Sequence, residues 1–175
     1  MPPTTPIKIP IELELTIGTP IAKAGPEVVE GEATCLVIKS QPERRYTLGL
    51  AYPALRPDSA VALDGHRDFA GPDALENAAW SWMGKSRSVG LFHQDGTEGH
   101  GTVVESYIYR GPDWELTADD GSKQIIKSGD WLVGTIWDEP AWSLIKSGRL
   151  NGWSPQGGGR RVTPSPERLA ELRSR

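Results

Sequence analysis

Near the start of the chain, hydrophobic and polar positions alternate strictly. Ile7, Ile9, Ile11, Leu13, Leu15 and Ile17 are interleaved with Lys8, Pro10, Glu12, Glu14 and Thr16. A period of two sustained from Ile7 to Ile17 predicts a strand with one apolar face. Pro10 has no N–H to donate, so this strand is expected at a sheet edge, or as an arm that adds to a partner's sheet. Residues 18–32 are acidic and punctuated by Pro and Gly, and read as a linker. Ala33 to Ile38 and Tyr46 to Tyr52 predict two strands around the turn Ser40-Gln41-Pro42-Glu43. Residues 53–71, which hold Asp58, Asp64, His66 and Asp68, read as a long irregular loop, a length that is usually functional or mobile.

A period near 3.6 then takes over. Pro72 and Asp73 open a helix whose face is Leu75, Ala78, Ala79, Trp82 and Met83, with Gly84 to close it. Val89 to His93 predicts a short apolar strand ending on a histidine. With Gln94 to Gly101 as its turn and Thr102 to Tyr109 as its partner, it is expected to form a hairpin. Trp114 to Ile126 reads as a second hairpin around Asp119-Asp120-Gly121. Trp131 to Trp137 predicts a further strand. Asp138-Glu139-Pro140 opens a helix running to Gly148, a strand carrying Ser154 follows, and Ser165-Pro166-Glu167 starts a last helix. The pattern as a whole predicts an α+β fold, mainly antiparallel β, a barrel-like sheet flanked by about three helices. The expected divisions are an edge strand or arm with its linker over 1–32, a main domain over 33–163, and a basic helix or tail over 164–175.

Composition narrows the class. A chain of 175 residues supports one domain with a real core. No apolar run approaches the ~20 residues that span a bilayer. The opening residues lack the basic and apolar regions of a secretory signal, so a cytosolic protein is expected. The single cysteine, Cys35, excludes an internal disulfide framework and a Cys-based zinc site. A net charge of −4, with no basic block before the last turns, argues against nucleic-acid binding as the main task.

The candidate chemistry centres on Lys146 to Arg161, where one serine, Ser154, stands before Pro155 and a Gly157-Gly158-Gly159-Arg160-Arg161 run. Proline drives the residue before it into extended geometry and has no N–H of its own. An α/β-hydrolase elbow needs its serine at a strand-to-helix turn and takes the next N–H for its oxyanion hole, so Pro155 argues against that fold. A serine on a strand, with oxyanion donors from the glycine loop, stays open. Three glycines let amides turn inward as an anion nest, and Arg160 and Arg161 add positive field; a flexible turn is the plain alternative. A serine hydroxyl needs an imidazole to take its proton. The three histidines are His66, His93 and His100, and from spacing alone pairing Ser154 with His93 is a guess. His93, Asp95, Glu98, His100 and Glu105 also make a plausible zinc or manganese set, and hence a metal-dependent hydrolase is an alternative. Their spacing matches no helical metal motif, and a solvated turn is favoured. Asp58, Asp64 and Asp68 likewise lack the spacing of a calcium loop.

The order of short motifs resembles a known family. Glu43-Arg44-Arg45-Tyr46-Thr47-Leu48-Gly49-Leu50-Ala51-Tyr52-Pro53 precedes Asp64-Gly65-His66-Arg67-Asp68-Phe69 and the helix around Ala78-Ala79. Val89-Gly90-Leu91-Phe92-His93, Val103-Val104-Glu105-Ser106-Tyr107-Ile108, Gly129-Asp130-Trp131-Leu132-Val133-Gly134 and Trp142-Ser143-Leu144-Ile145-Lys146-Ser147-Gly148 follow, and Asn151-Gly152-Trp153-Ser154 completes the series. Over roughly residues 33–163 this is similar to the XkdF-type phage serine proteases, prohead (capsid maturation) proteases of tailed bacteriophages and prophages. The resemblance implies a fold related to the herpesvirus assembly protease, a β-barrel ringed by helices with its nucleophilic serine on a strand. It implies His93 as general base, from a Gly-Leu-x-His motif, and Ser154 as nucleophile, from a Gly-aromatic-Ser motif. The implied substrates and partners are the phage scaffold and the amino-terminal segments of the major capsid protein, cut inside the procapsid in the host cytoplasm. No cofactor, membrane or nucleic acid is implied, and self-association is left open. A structural assembly module that has lost activity is the alternative within the same kinship. The resemblance departs at Pro155, where relatives usually carry an aliphatic residue or methionine. Glu105 is the first choice for a residue that orients His93, ahead of Glu167 and Asp138, with a Ser-His dyad also open. Gly158, Gly159, Arg160 and Arg161 are expected to support the oxyanion.

Overall fold

The computed structural model of the chain describes residues 11–16, 35–56, 68–92, 94, 96–117, 123–153, 155 and 158–174; for 11–16, 35–40 and 43 it describes the backbone alone. In chain order the elements are β1 (Ile11–Thr16), β2 (Cys35–Gln41), β3 (Tyr46–Tyr52), β4 (Asp68–Ala70), α1 (Pro72–Lys85), β5 (Gly101–Ile108), β6 (Trp114–Thr117), β7 (Lys123–Ile126), β8 (Trp131–Trp137), α2 (Glu139–Lys146), β9 (Gly152–Trp153), β10 (Gly158–Val162) and α3 (Pro166–Arg173).

The main sheet has the order β5-β8-β3-β2-β9, every neighbouring pair antiparallel. β8 and β3 lie at its centre and are covered on both faces, which is why Trp131 to Trp137 and Tyr46 to Tyr52 are near-continuous apolar runs instead of alternating ones. One face packs on α1 through Leu75, Ala78, Ala79 and Trp82, with Trp82 meeting Trp131 edge-on at 5.5 Å. Leu48, Leu50, Leu132 and Ile126 form a second cluster, packed against Trp114, Leu116 and Tyr109 beside the β6–β7 hairpin.

The helix boundaries follow their caps. Asp138 caps α2 by accepting the Ala141 N–H at 2.9 Å, and Gly148, at φ +71°, takes the left-handed turn that ends it. Ser165 caps α3 in the same way through Arg168 N–H. Deeper in the fold, Asp130 is fully buried and fully used: Oδ1 accepts Ala54 N–H at 2.9 Å, and Oδ2 accepts Lys127 N–H and the Arg56 guanidinium.

Several sequence expectations are corrected. Among the described residues the main sheet is open, not closed into a barrel: β5 and β9 are its two edges, and the expected herpesvirus-protease-like barrel is not seen in these strands. Closure would need β5 to pair with β9, but β9 is two residues long and the chain leaves it for another sheet. That second sheet, β10-β1-β4, corrects the glycine loop. Gly158 to Val162 is a strand antiparallel to β1, with Gly158 opposite Thr16 and Arg160 opposite Glu14. β1 is therefore the middle strand of three, flanked by parallel β4 on its other side. Its described pairing starts at Ile11, so no described ladder bond asks for the N–H that Pro10 lacks.

Val89 to Phe92 is a turn, not a strand, and β5 pairs with β8 and not with this run. The reason is local. Leu91 is buried, and its backbone is claimed by a side chain: Thr97 Oγ1 accepts Leu91 N–H at 2.8 Å and lies 3.0 Å from Leu91 O. No ladder partner is needed.

Candidate active site

The two residues that the resemblance assigns to the chemistry, Ser154 and His93, lie outside the described residues, so the site is built from their neighbours. On the serine side, β9 pairs with β2 through Trp153 opposite Cys35 and Gly152 opposite Leu36. Two ladder positions hold a strand weakly, and side-chain packing supplies the rest. The Trp153 ring lies directly on Gly49 of β3: a Cβ there would sit 2.0 Å from Trp153 Nε1 and 2.1 Å from Cδ1. Its other neighbour is Trp137, with ring centroids 5.4 Å apart. Trp137 is itself fixed, since its Nε1–H donates to the buried Thr47 Oγ1 at 2.8 Å. Thr47, Trp137 and Gly49 thus form a rail against which Trp153, the residue before the serine, is set.

On the histidine side, the turn from Leu91 is closed three times over. Gln94 N–H donates to Leu91 O at 3.1 Å, Thr97 N–H donates to Gln94 O at 3.3 Å, and Thr97 Oγ1 lies 2.6 Å from Gln94 O. Gly90 leaves room for this hydroxyl, because a Cβ at 90 would come within 3.3 Å of it. Phe92 is left in the left-handed region at φ +54°.

His100 stands at the other end of this segment. His100 Nδ1 lies 2.7 Å from Asp138 Oδ2, and Asp138 N–H donates to His100 O at 2.9 Å. The Ala141 N–H, and next the His100 imidazole, hold the Asp138 carboxyl below its usual range. With Asp138 ionised, Nδ1 is the donor. Asp138 therefore ties the start of β5 to the cap of α2, the helix that leads on to β9.

Glu105 lies elsewhere. It reaches across β8 to accept the Tyr46 hydroxyl on β3 at 2.5 Å, passing over Gly134, where a Cβ would meet its Oε2 at 2.7 Å. Burial first, and then the bond and negative charge of Glu105, push the Tyr46 pKa up, so the phenol stays a donor. In the open sheet β5 and β9 are separated by β8, β3 and β2. Trp153 of β9 nonetheless reaches back over Gly49 of β3 to Trp137 of β8, and both Trp153 and Tyr46 pack against the cluster of Leu48 and Leu50. Glu167 sits in the first turn of α3, where its own backbone N–H and then the Ser165 hydroxyl hold its carboxyl low. Gly158, Gly159, Arg160 and Arg161 all lie in β10, and Arg161 donates from Nε and Nη2 to Asp68 Oδ2 at 3.3 and 2.9 Å. No cluster of His, Cys, Asp or Glu among the described residues could hold a metal, and His93, Asp95, Asp58 and Asp64 of the proposed sets lie outside them. No described helix is long and apolar enough to cross a membrane.

Sequence reasoning passed over Gly49 and Gly134, the two positions that let Trp153 and Glu105 cross the sheet. The signal was present. A glycine inside a central strand weakens it, so something must use the space its side chain leaves.

Comparison with known proteins agrees with the order of motifs. The family model described as "Putative phage serine protease XkdF" matches residues 34–163. The chain is 31% identical over 135 residues to the phage-like element PBSX protein XkdF of Bacillus subtilis (strain 168), covering 77% of this chain and 44% of that protein. It is also 31% identical over 122 residues to the uncharacterized protein YqbD of the same organism, covering 70% of this chain and 34% of that protein. The chain thus spans less than half the length of either relative. No solved structure matches it significantly.

Proposed function

The chain belongs to the XkdF family of phage serine proteases, and from that premise we propose that it is a serine endopeptidase of phage capsid assembly. Ser154 is the acyl nucleophile and His93 its general base. The observation that carries this reading is the family match over residues 34–163, which contains both motif positions in order. The packing of Trp153 on Gly49 and Trp137 supports it, because a nucleophile gains from a fixed backbone.

The catalytic unit in this reading is a dyad. Glu105 is engaged by the Tyr46 hydroxyl at 2.5 Å, so its contribution is small. β10 is an edge strand, and alternate amides along it point away from β1, which leaves one amide of the exposed Gly158-Gly159 pair able to support an oxyanion. The Arg161 guanidinium serves Asp68 instead. Substrates are the scaffold and the amino-terminal segment of the major capsid protein, cut within the procapsid in the host cytoplasm. Co-expression of the chain with those two proteins is expected to give shortened products, and Ser154→Ala is expected to leave both intact. Equal cleavage by the variant overturns the assignment.

One feature favours a second reading, an assembly module without activity. Pro155 stiffens the backbone beside the serine, and a hydroxyl misaimed by 1 Å loses about a hundredfold in rate. Procapsid association without cleavage is its expected outcome.

A further inference from the structure

Phe92 combines two features that each disfavour the fold. Its backbone is left-handed at φ +54°, where an L residue with a Cβ is strained. Its ring, 46% exposed, recovers little by burial. Such a conformation persists only where the surroundings over-determine it. Here they do: buried Leu91 anchors the turn, Thr97 Oγ1 binds Leu91 on both backbone groups, and Gln94 N–H closes on Leu91 O. The other left-handed non-glycine residues differ. Leu55 is buried, and Arg45 and Arg87 follow the ends of helical turns with long polar side chains. Phe92 alone among the described residues couples the strain to an exposed aromatic ring, and it does so next to His93.

We infer that Phe92 is a specificity-determining substrate contact, its ring receiving an apolar side chain of the extended polypeptide that flanks the cut. This rests on the serine-endopeptidase reading for the place of the cut. The strained turn leaves the ring exposed one residue before the proposed base, and Thr97 is the group that holds the turn. The test has two arms, so that the contact and the chemistry are judged separately. In the first, a fluorescent library of extended peptides, varied by residue class on either side of a central bond, is titrated against the Ser154→Ala chain by anisotropy, with and without Phe92→Gly or Phe92→Leu. In the second, the same library measures cleavage by the unaltered chain.

Phe92→Gly relieves the backbone, so its melting temperature is expected to rise by about 1–4 °C. Its affinity for peptides with apolar flanks is expected to fall at least about tenfold, while peptides with polar flanks are unaffected. Phe92→Leu is expected to retain most of the binding. Opposite signs for stability and affinity separate a contact from a merely structural residue. Unchanged affinity in Phe92→Gly overturns the inference, whatever the cleavage arm shows. Binding that depends on Phe92 in a chain that cuts nothing keeps the contact and removes the peptidase reading.

Discussion

The two edges of the main sheet are held by opposite means. β5 is an eight-residue strand laddered to β8 along its length, and its side chains are mostly half-exposed or exposed. β9 is two residues long and owes its position to one indole ring seated on Gly49 and against Trp137. Both edges use a glycine in a central strand as the crossing point, Gly134 under Glu105 and Gly49 under Trp153. The long edge is therefore set by backbone pairing and tolerates side-chain change. The short edge is set by packing and does not, and it is the edge that leads into the proposed nucleophile.

The largest effects are accordingly expected at the β9 edge. Trp153→Ala removes the ring and is expected to cost about 2–4 kcal/mol in urea unfolding, with loss of any reactivity at Ser154. Gly49→Ala drives a Cβ into the same ring and is expected to cost about 1–3 kcal/mol. It should lower the rate of serine-directed labelling by about a hundredfold. Because the clash is with Trp153, combining Gly49→Ala with Trp153→Leu is expected to cost less than the sum of the two changes. Strict additivity would mean that the ring does not rest on Gly49.

Asp138→Ala comes next, since it removes both a helix cap and the His100 link. A fall in melting temperature of about 2–5 °C is expected at neutral pH. The Ala141 N–H and the His100 imidazole hold the folded carboxyl below the ordinary aspartate range, so its contribution is present above the unfolded pKa and is lost as the pH falls through the lower folded one. Parallel melts should show the two chains converging below about pH 4. A gap that persists into acid would remove the ionised cap from the explanation.

At the β5 edge, Glu105→Gln is expected to lower labelling at Ser154 less than about threefold and stability by about 0.5–1 kcal/mol. A hundredfold loss of labelling would make Glu105 the orienting carboxylate and reverse the ranking of the two edges. The smallest effect is expected from Arg45→Ala, which breaks an exposed pair with Glu139 at 3.2 Å and should change stability by about 0.5 kcal/mol or less.

These elements differ in how far the residues announced them. α1, α2, α3, β3, β8 and the β6–β7 hairpin are marked by local signals: prolines and acids at helix starts, and apolar runs bounded by turns. β10 is not, because Gly157-Gly158-Gly159 reads as a turn and becomes a strand only through pairing with β1 far along the chain. The open edges of the main sheet escape notice for the same reason, since closure depends on long-range pairing. Val89 to Phe92 misleads in the other direction: its apolar pattern is that of a strand, yet the Thr97 hydroxyl takes the backbone groups of Leu91. In the candidate site, Ser154 and His93 are legible only through their motifs, whereas Gly49 and Gly134 could have been found physically, as glycines lodged inside strands that need side chains.

The central claim is a reactive serine at the end of the packed edge. Trypsin releases Leu150 to Arg160 as a peptide in which Ser154 is the sole serine. After treatment of the intact chain with a fluorophosphonate, mass spectrometry is expected to find the phosphonyl adduct on that peptide, and to lose it in His93→Ala. An unmodified peptide from the folded wild-type chain, or labelling that survives without His93, would contradict the claim.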